Sequence, residues 1–358
     1  MPADVLVPYK MTRVGVVMTP EAGNVLEAEG VLNPGSGHTP DGKLYLLPRL
    51  VAAGNDSRIG LARIILDNGV PVGVEREGVV LAPDAGWEHG AGSAGTEDPR
   101  VTWIEALGLH VMSYVAFGPM GPRSALAVSE NLRDWRRLGP LHFVYQPELD
   151  LDLNLCPNKD VVFFPEPVPG PDGAPSFAML HRPMWDLGWV RDGEGVHLPA
   201  GISDERLGIW ISYVPVKDVQ SDIGNLVFQR SSTLVAMPKY DFESLKIGAG
   251  PAPIRVEEGW LLLHHGVKGS LTKGRVWNHV QAGVHYSAGA MILDSVDPSK
   301  VLARTSAPIL APETEAELFG TVPNVVFPTA IEEVDGVRYV FYGMADSQIG
   351  VARLDRQA

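Results

Sequence analysis

The sequence has one cysteine, Cys156, in 358 residues. No internal disulfide and no cysteine-based zinc site can be built from it. Positive charge is also scarce: 29 Lys and Arg against 43 Asp and Glu leave a net charge of −14. A nucleic-acid backbone needs a basic face to neutralise its phosphates, so that class of partner is not expected. No apolar run approaches the ~18 residues of a membrane span, so no membrane partner is expected either. The first residues, MPADVLVPYK, lack a basic stretch followed by an apolar one, so no leader is read and the cytoplasm is the expected location. HExxH, CxxC, GxSxG and Walker-loop patterns are missing. Zinc-protease, thiol-redox, serine-hydrolase and nucleotide-binding chemistries therefore lose their usual signatures. No metal and no cofactor is expected.

Helical periodicity is scarce too. What is present is a succession of short apolar or aromatic runs broken by Gly, Pro, Asn and Asp. Apolar residues make up 45% of the chain, and the 39 glycines and 30 prolines are dispersed along it, as many turns require. A repeat runs through these strands. RIGLAR (58–63), SALAVS (124–129), SAGAMI (287–292) and QIGVAR (348–353) are small-residue strands. Each follows an aromatic one: LYLLPRLV (44–51), LHVMSYVAFG (109–118), WLLLHHGV (260–267) and RYVFYGMAD (338–346). A fifth aromatic strand, GIWISYVPV (208–216), has no clear small partner. Several are preceded by a further strand, such as PRVTWIE (99–105), KDVVFFPEPV (159–168) or NVVFPTAIEEV (324–334). About five repeats predict an all-β fold, a five-bladed β-propeller forming one domain over residues 1–358. A generic β-sandwich is the alternative. The small residues are expected where blades crowd the axis.

The chemistry falls at strand ends. TEDPR (96–100) sets Glu97 and Asp98 before a proline that stiffens the turn. A paired acid of this kind can act as a general acid. Arg100 is expected to keep one carboxylate ionised while the other holds a proton. Lys159, His181, Arg182, Lys246, His264 and His265 all border apolar strands. Such charges are costly near a core unless they meet an anion, so their convergence would make a basic pocket in an acidic protein. Tyr45, Tyr114, Trp185, Tyr213, Tyr286 and Tyr342 lie at strand ends; they are core residues or stack on sugar rings.

Taken in order, GTEDPR, NKDVVFFPE, AMLHRP, IGAGPAPI with EEGWLLLHHGV, DPSKVLARTSAPILAPE, NVVFPTA and YGMADSQIGVA resemble glycoside hydrolase family 130. That family holds β-mannoside phosphorylases and β-1,2-mannosidases. The resemblance runs from residue 33 to residue 352, and it implies a five-bladed propeller with an axial active site. It implies Asp98 as proton donor, acting through a sugar hydroxyl. Asn33, Arg58 and Asp346 fall on positions that hold the first sugar. Arg182, Lys246 and His265 fall on phosphate-binding positions, with Tyr286 as a further one. Where the phosphorylases use a second basic residue near the NKD segment, often arginine, this chain has Lys159.

The activity implied is inverting phosphorolysis of a β-mannoside to α-mannose 1-phosphate, with inorganic phosphate as co-substrate. An inverting β-1,2-mannosidase is the alternative, with its base among Glu257, Glu166 and Glu205. A non-catalytic sugar-binding propeller is a third reading, and a homo-oligomer is compatible with the sequence. HHGV stands where the family more often has YHGV. Segments 169–177 and 268–281 are longer than usual, and both are expected to shape the leaving-sugar subsite.

Overall fold

The computed structural model describes residues 6–90, 94–189, 191–270 and 283–357. Among them regular structure is almost entirely β; the two α-helices, Val216–Ser221 and Glu315–Leu318, have six and four residues. No helix among the described residues is long and apolar enough to cross a membrane.

Strand β1 (Tyr9–Met18) comes first. Strands β2 (Gly30–His38), β3 (Leu44–Ala52), β4 (Asp56–Asp67) and β5 (Val70–Leu81) then pair antiparallel in chain order. So do β6 (Ala94–Ile104), β7 (Leu109–Gly118), β8 (Gly121–Ser129) and β9 (Arg136–Pro140). These two runs are joined as one sheet by a short parallel pairing of β4 with β6, Asp56 beside Ala94 and Ser57 beside Gly95. The next sheet contains β10 (His142–Phe143), β11 (Asn158–Phe163), β12 (Val168–Pro169), β13 (Pro175–Pro183), β14 (Ile209–Pro215) and β15 (Phe228–Ala236), in the order β11-β13-β14-β15-β10 with β12 beside β13. Another contains β16 (Lys246–Ala249), β17 (Ile254–Val256), β18 (Gly259–Gly269), β19 (Val284–Leu293) and β20 (Val301–Arg304), in the order β16-β18-β19-β20 with β17 beside β18. The last has β21 (Val326–Val334), β22 (Val337–Met344) and β23 (Gln348–Arg356), and β1 completes it antiparallel to β23.

Both faces of the middle strands are buried, which is why WLLL reads as an unbroken apolar run. Successive side chains of a strand point to opposite faces. Trp260 and Leu262 pack with Val162, Leu180 and Ile211 of the preceding sheet. Leu261 and Leu263 pack with Val326, Val340 and Ala352 of the following one. The last sheet meets the first in the same way, with Phe341 and Val351 against Val31, Leu46 and Ala62. Each fully buried Val, Leu, Ile or Phe among them adds about 1.5–3 kcal/mol.

Three buried glutamates tie short turns to these sheets. Glu88 Oε1 accepts from Tyr114 Oη (2.6 Å) and Arg137 Nε (2.8 Å), and Oε2 from Arg137 Nη2 and the Ala85 amide (both 2.9 Å). Glu317 Oε1 accepts from Arg13 Nε (2.9 Å) and Tyr342 Oη (3.0 Å), while Oε2 takes the Glu313 and Thr314 amides (2.8 and 3.0 Å). Glu243 repeats the plan with His264 Nε2 (2.7 Å), Arg304 Nε (3.0 Å) and the amides of Lys239 and Tyr240. Burial keeps His264 neutral against the pull of Glu243, so its bare Nδ1 strands no proton. These clamps also explain two glycines of the repeat. Gly289 stands opposite His264 and Gly350 opposite Tyr342. A Cβ there would come within 2.5 Å of the imidazole and 2.6 Å of the phenol. Those two glycines make room for a ring on the neighbouring strand, not for a crowded axis.

Candidate active site

One backbone irregularity recurs in three strands. β2 slips register between Leu32 and Gly35, β6 between Glu97 and Arg100, and β11 between Lys159 and Val162. Each slip holds a left-handed residue: Asn33 (φ 43°), Asp98 (φ 47°) and Asp160 (φ 55°). Asn and Asp tolerate this conformation better than other side chains with a Cβ. A bulge re-aims the side chain it carries.

Asn33 Nδ2 donates to Asp98 Oδ1 at 2.8 Å, and Arg49 Nη1 reaches the same oxygen at 3.2 Å. Both of these hydrogen bonds go to Oδ1; among the described residues none to Asp98 Oδ2 is found. Arg49 Nη2 also binds Glu97 Oε1 at 2.8 Å, and Lys159 Nζ stands 3.4 Å from Glu97 Oε2. The acid pair is thus held by Arg49. Arg100 binds neither carboxylate: its Nε donates to the Gly250 carbonyl (3.0 Å), and its Nη1 lies 3.4 Å from the Asp98 carbonyl, so its charge favours the ionised Asp98 less than Arg49 and Lys159 do. Burial opposes the charge on Asp98, but Arg49, Lys159 and the Asn33 bond outweigh it and keep its pKa below the usual value. Asp346 (φ 50°) lies in the turn between β22 and β23. Burial, then the Asp98 charge, raises it to about 6. Of the two aspartates, Asp346 is the one that takes up a proton first as pH falls. Arg58 stands apart from both. Opposite Leu50, it lies on the other face of β3–β4 from Arg49 and pairs with Asp56.

A second group surrounds Asp160. Arg182 Nε donates to Asp160 Oδ2 at 2.6 Å, and His265 Nε2 lies 3.5 Å from the same atom. Lys159 faces Arg182 across β11–β13. Lys246, Val267 and Tyr286 form one cross-strand row, with Lys246 Nζ 5.3 Å from the Tyr286 ring centre. Arg182 Nη1, Arg100 Nη2 and His265 Nδ1 are buried with no hydrogen-bond partner among the described residues. Unpaired buried donors are rare and call for a partner. Burial, with Arg182 and Lys159, brings Lys246 down to about 7 against the pull of Asp160 and Asp346. Burial also holds His265 well below its ordinary value, so it enters the pocket as a neutral ring, not a cation. Burial keeps the Tyr286 hydroxyl protonated.

Of the six cationic candidates, the structure brings Lys159, Arg182, Lys246 and His265 into one region, with Tyr286 beside Lys246. The expected convergence fails for His264, which clamps Glu243. It fails also for His181, a neutral ring at about 3 through burial, bound to Asn158 Nδ2 (3.0 Å) and Ser212 Oγ (2.8 Å). Of the strand-end aromatics, Tyr114 and Tyr342 serve the clamps. Tyr45 contacts Glu77 and Arg133, Trp185 packs edge-on to Trp210, and Tyr213 lies in the apolar core. Glu166 and Glu257 are tied to Arg255 and Arg356 at the surface, and Glu205 is exposed. The 169–177 turn lies at the far end of β13: Ser176 pairs with Val168, six residues from Arg182. At ~3.3 Å per residue that is about 20 Å from the pocket. The segment that follows Arg182 directly is 184–208. Most of 268–281 lies outside the described residues.

Arg49 and Asp160 were not singled out in the sequence. LYLLPRLV reads as a strand with one arginine. Asp160 could have been found by aligning KDVV (159–162) with EDPR (97–100) and LNPG (32–35) as the same position of the repeat.

A family model described as beta-1,4-mannooligosaccharide phosphorylase matches residues 218–357. The chain is 35% identical over 264 residues to a 1,2-beta-oligomannan phosphorylase of Thermoanaerobacter sp. (strain X514), spanning 73% of this chain and 68% of that protein. It is 34% identical over 266 residues to a beta-1,2-mannobiose phosphorylase of the same organism, spanning 74% and 68%. Among solved structures it is similar to the beta-1,2-mannobiose phosphorylase of Listeria innocua in complex with beta-1,2-mannobiose. That match has a TM-score of 0.68 at 22% identity and covers 98% of this chain and 96% of the other.

Proposed function

Since the chain belongs to glycoside hydrolase family 130, we propose that it cleaves β-mannosides by inverting phosphorolysis, releasing α-mannose 1-phosphate. The observation that carries this reading is the pocket around Asp160, where buried donors of Arg182 and Arg100 lack partners. Four basic side chains, Arg100, Lys159, Arg182 and Lys246, act on this small region. An inorganic phosphate supplies the missing acceptors. As an anionic nucleophile it needs no second protein carboxylate.

In this reading Asn33, Asp98 and Asp346 hold the first sugar; Arg58, on the other face of β3–β4 and paired with Asp56, is not part of that subsite. Phosphate sits on Arg182, Lys246, Lys159, His265 and Tyr286 and attacks the anomeric carbon. Asp98 provides the proton for the departing oxygen. The protein's own cations keep Asp98 ionised. A dianion placed among Lys159, Arg182 and Arg100 offsets them and raises the Asp98 pKa. Proton delivery is thereby coupled to the presence of phosphate. A hydrolase would need a base, and Glu166, Glu205 and Glu257 are surface residues.

We further read the sheets as five blades, with the eight-stranded one counted as two because a two-residue contact joins its halves. The pairing of β1 with β23 then closes one propeller. Limited proteolysis tests this, since a stable half-length fragment contradicts it.

The function is tested by initial rates on β-1,2-linked mannobiose with and without phosphate. Mannose 1-phosphate formed only with phosphate is the expected result. Free mannose formed at equal rates in both overturns the reading.

A further inference from the structure

Asp160 is anomalous in a pocket read as an anion site, because it places a buried carboxylate beside the anion. It is 8% exposed, and Arg182 and His265 hold its charge well below the usual range against burial. Its geometry is specific. It sits left-handed in the β11 bulge, takes Arg182 Nε at 2.6 Å and lies 3.5 Å from His265 Nε2. Other polar atoms of the same two groups, Arg182 Nη1 and His265 Nδ1, are buried and have no hydrogen-bond partner among the described residues. The neighbouring sheet makes room for this contact. Gly248 stands opposite His265, and a Cβ there would overlap both Asp160 Oδ2 and His265 Cε1.

We propose that Asp160 is a positioning residue for the phosphate site, gripping one side of Arg182 and of His265 so that their remaining polar atoms face the anion. This rests on the phosphorylase reading above. A guanidinium held at Nε has its planar fork fixed in direction. A ring whose Nε2–H points to Asp160 keeps Nδ1 as an acceptor, suited to the hydroxyl of hydrogen phosphate.

Plain electrostatics gives the opposite expectation. Deleting a carboxylate makes the pocket more positive and should tighten anion binding. The sign of the effect therefore separates the two. The test measures KM for phosphate and for mannobiose, kcat, and calorimetric binding of inorganic phosphate. It uses the full chain and Asp160→Ala, Asp160→Asn and Gly248→Ala. Asp160→Ala is expected to raise the phosphate KM by about tenfold or more, with the mannobiose KM changed less than about twofold. Asp160→Asn keeps an acceptor for Arg182 Nε and should lose less. Gly248→Ala keeps every charge and should resemble Asp160→Ala, which preserves the test if that variant does not fold. Phosphate bound as tightly or more tightly by all three variants overturns the proposal, as does an equal rise in both KM values. A parent protein that shows no phosphate dependence overturns the phosphorylase reading itself, and this inference with it.

Discussion

The glutamate clamps and the Asp160 pocket use the same residue types to opposite ends. At Glu88 and Glu317 both carboxylate oxygens accept hydrogen bonds from an arginine together with a tyrosine or backbone amides. At Asp160 one carboxylate faces Arg182, Arg100 and His265, with Lys246 and Lys159 close by, and buried donors are left over. The Glu88 and Glu317 carboxylates are fully partnered and therefore serve the fold. The pocket holds surplus positive charge, which burdens the fold until an anion enters. Buried charge is thus structural or functional according to whether its partners are already complete.

The largest effect is expected on the catalytic side of this contrast. Asp98→Asn removes a transferable proton while keeping the shape that Asn33 and Arg49 grip. A kcat loss of about 10²–10⁴-fold is expected with an unchanged circular dichroism spectrum. Activity within a few-fold of the parent would remove Asp98 as the acid.

Breaking a clamp should do the reverse. Glu317→Ala leaves Arg13, Tyr342 and two amides without their acceptor. Removing one partner of a buried pair costs about 3–5 kcal/mol, read by urea unfolding. kcat measured well below the new melting temperature should hardly move.

A smaller effect is expected at Lys246. Lys246→Met should raise the phosphate KM about 10- to 100-fold through loss of a charge-assisted contact. It should also stabilise the fold, by about 1 kcal/mol, because a cation leaves a surplus. Destabilisation of the Glu317→Ala size would mean that the pocket is closed like a clamp, and the contrast would collapse.

The finest test is pH. The Lys246 pKa of about 7 lies below its unfolded value of 10.5. Between these values the unfolded chain binds more protons, so stability gained above 10.5 is lost as pH falls towards about 7. Phosphate binding wants the proton on, so the phosphate KM should rise as pH climbs past about 7. Lys246→Met should flatten both profiles, measured by denaturation and by initial rates.

Much of this was legible in the residue order. The aromatic strand followed by a small-residue strand announced an all-β repeat, because each middle strand is buried on both faces. The order GTEDPR, AMLHRP, LKIGAG, LHHGV marked Asp98, Arg182, Lys246 and His265. The same reasoning sent His181 and His264 to the site although both are internal, since a strand-end histidine looks alike in either place. It also gave Arg100 the task of Arg49. The two arginines differ in the direction of their side chains, which the β6 bulge decides.

By itself, then, the sequence determined strand composition, the repeat and the family, because these depend on local pattern and on motifs of a few contiguous residues. Only the tertiary structure decided which charges meet. Arg49 reaches Glu97 across 48 positions, and Asp160 lies against His265 from another sheet. Three left-handed bulges turn Asn33, Asp98 and Asp160 out of the strand alternation. Burial then sets Asp346 near 6 and Lys246 near 7. Loss of solvent around a charge is a property of the packed molecule, and no stretch of the chain carries it alone.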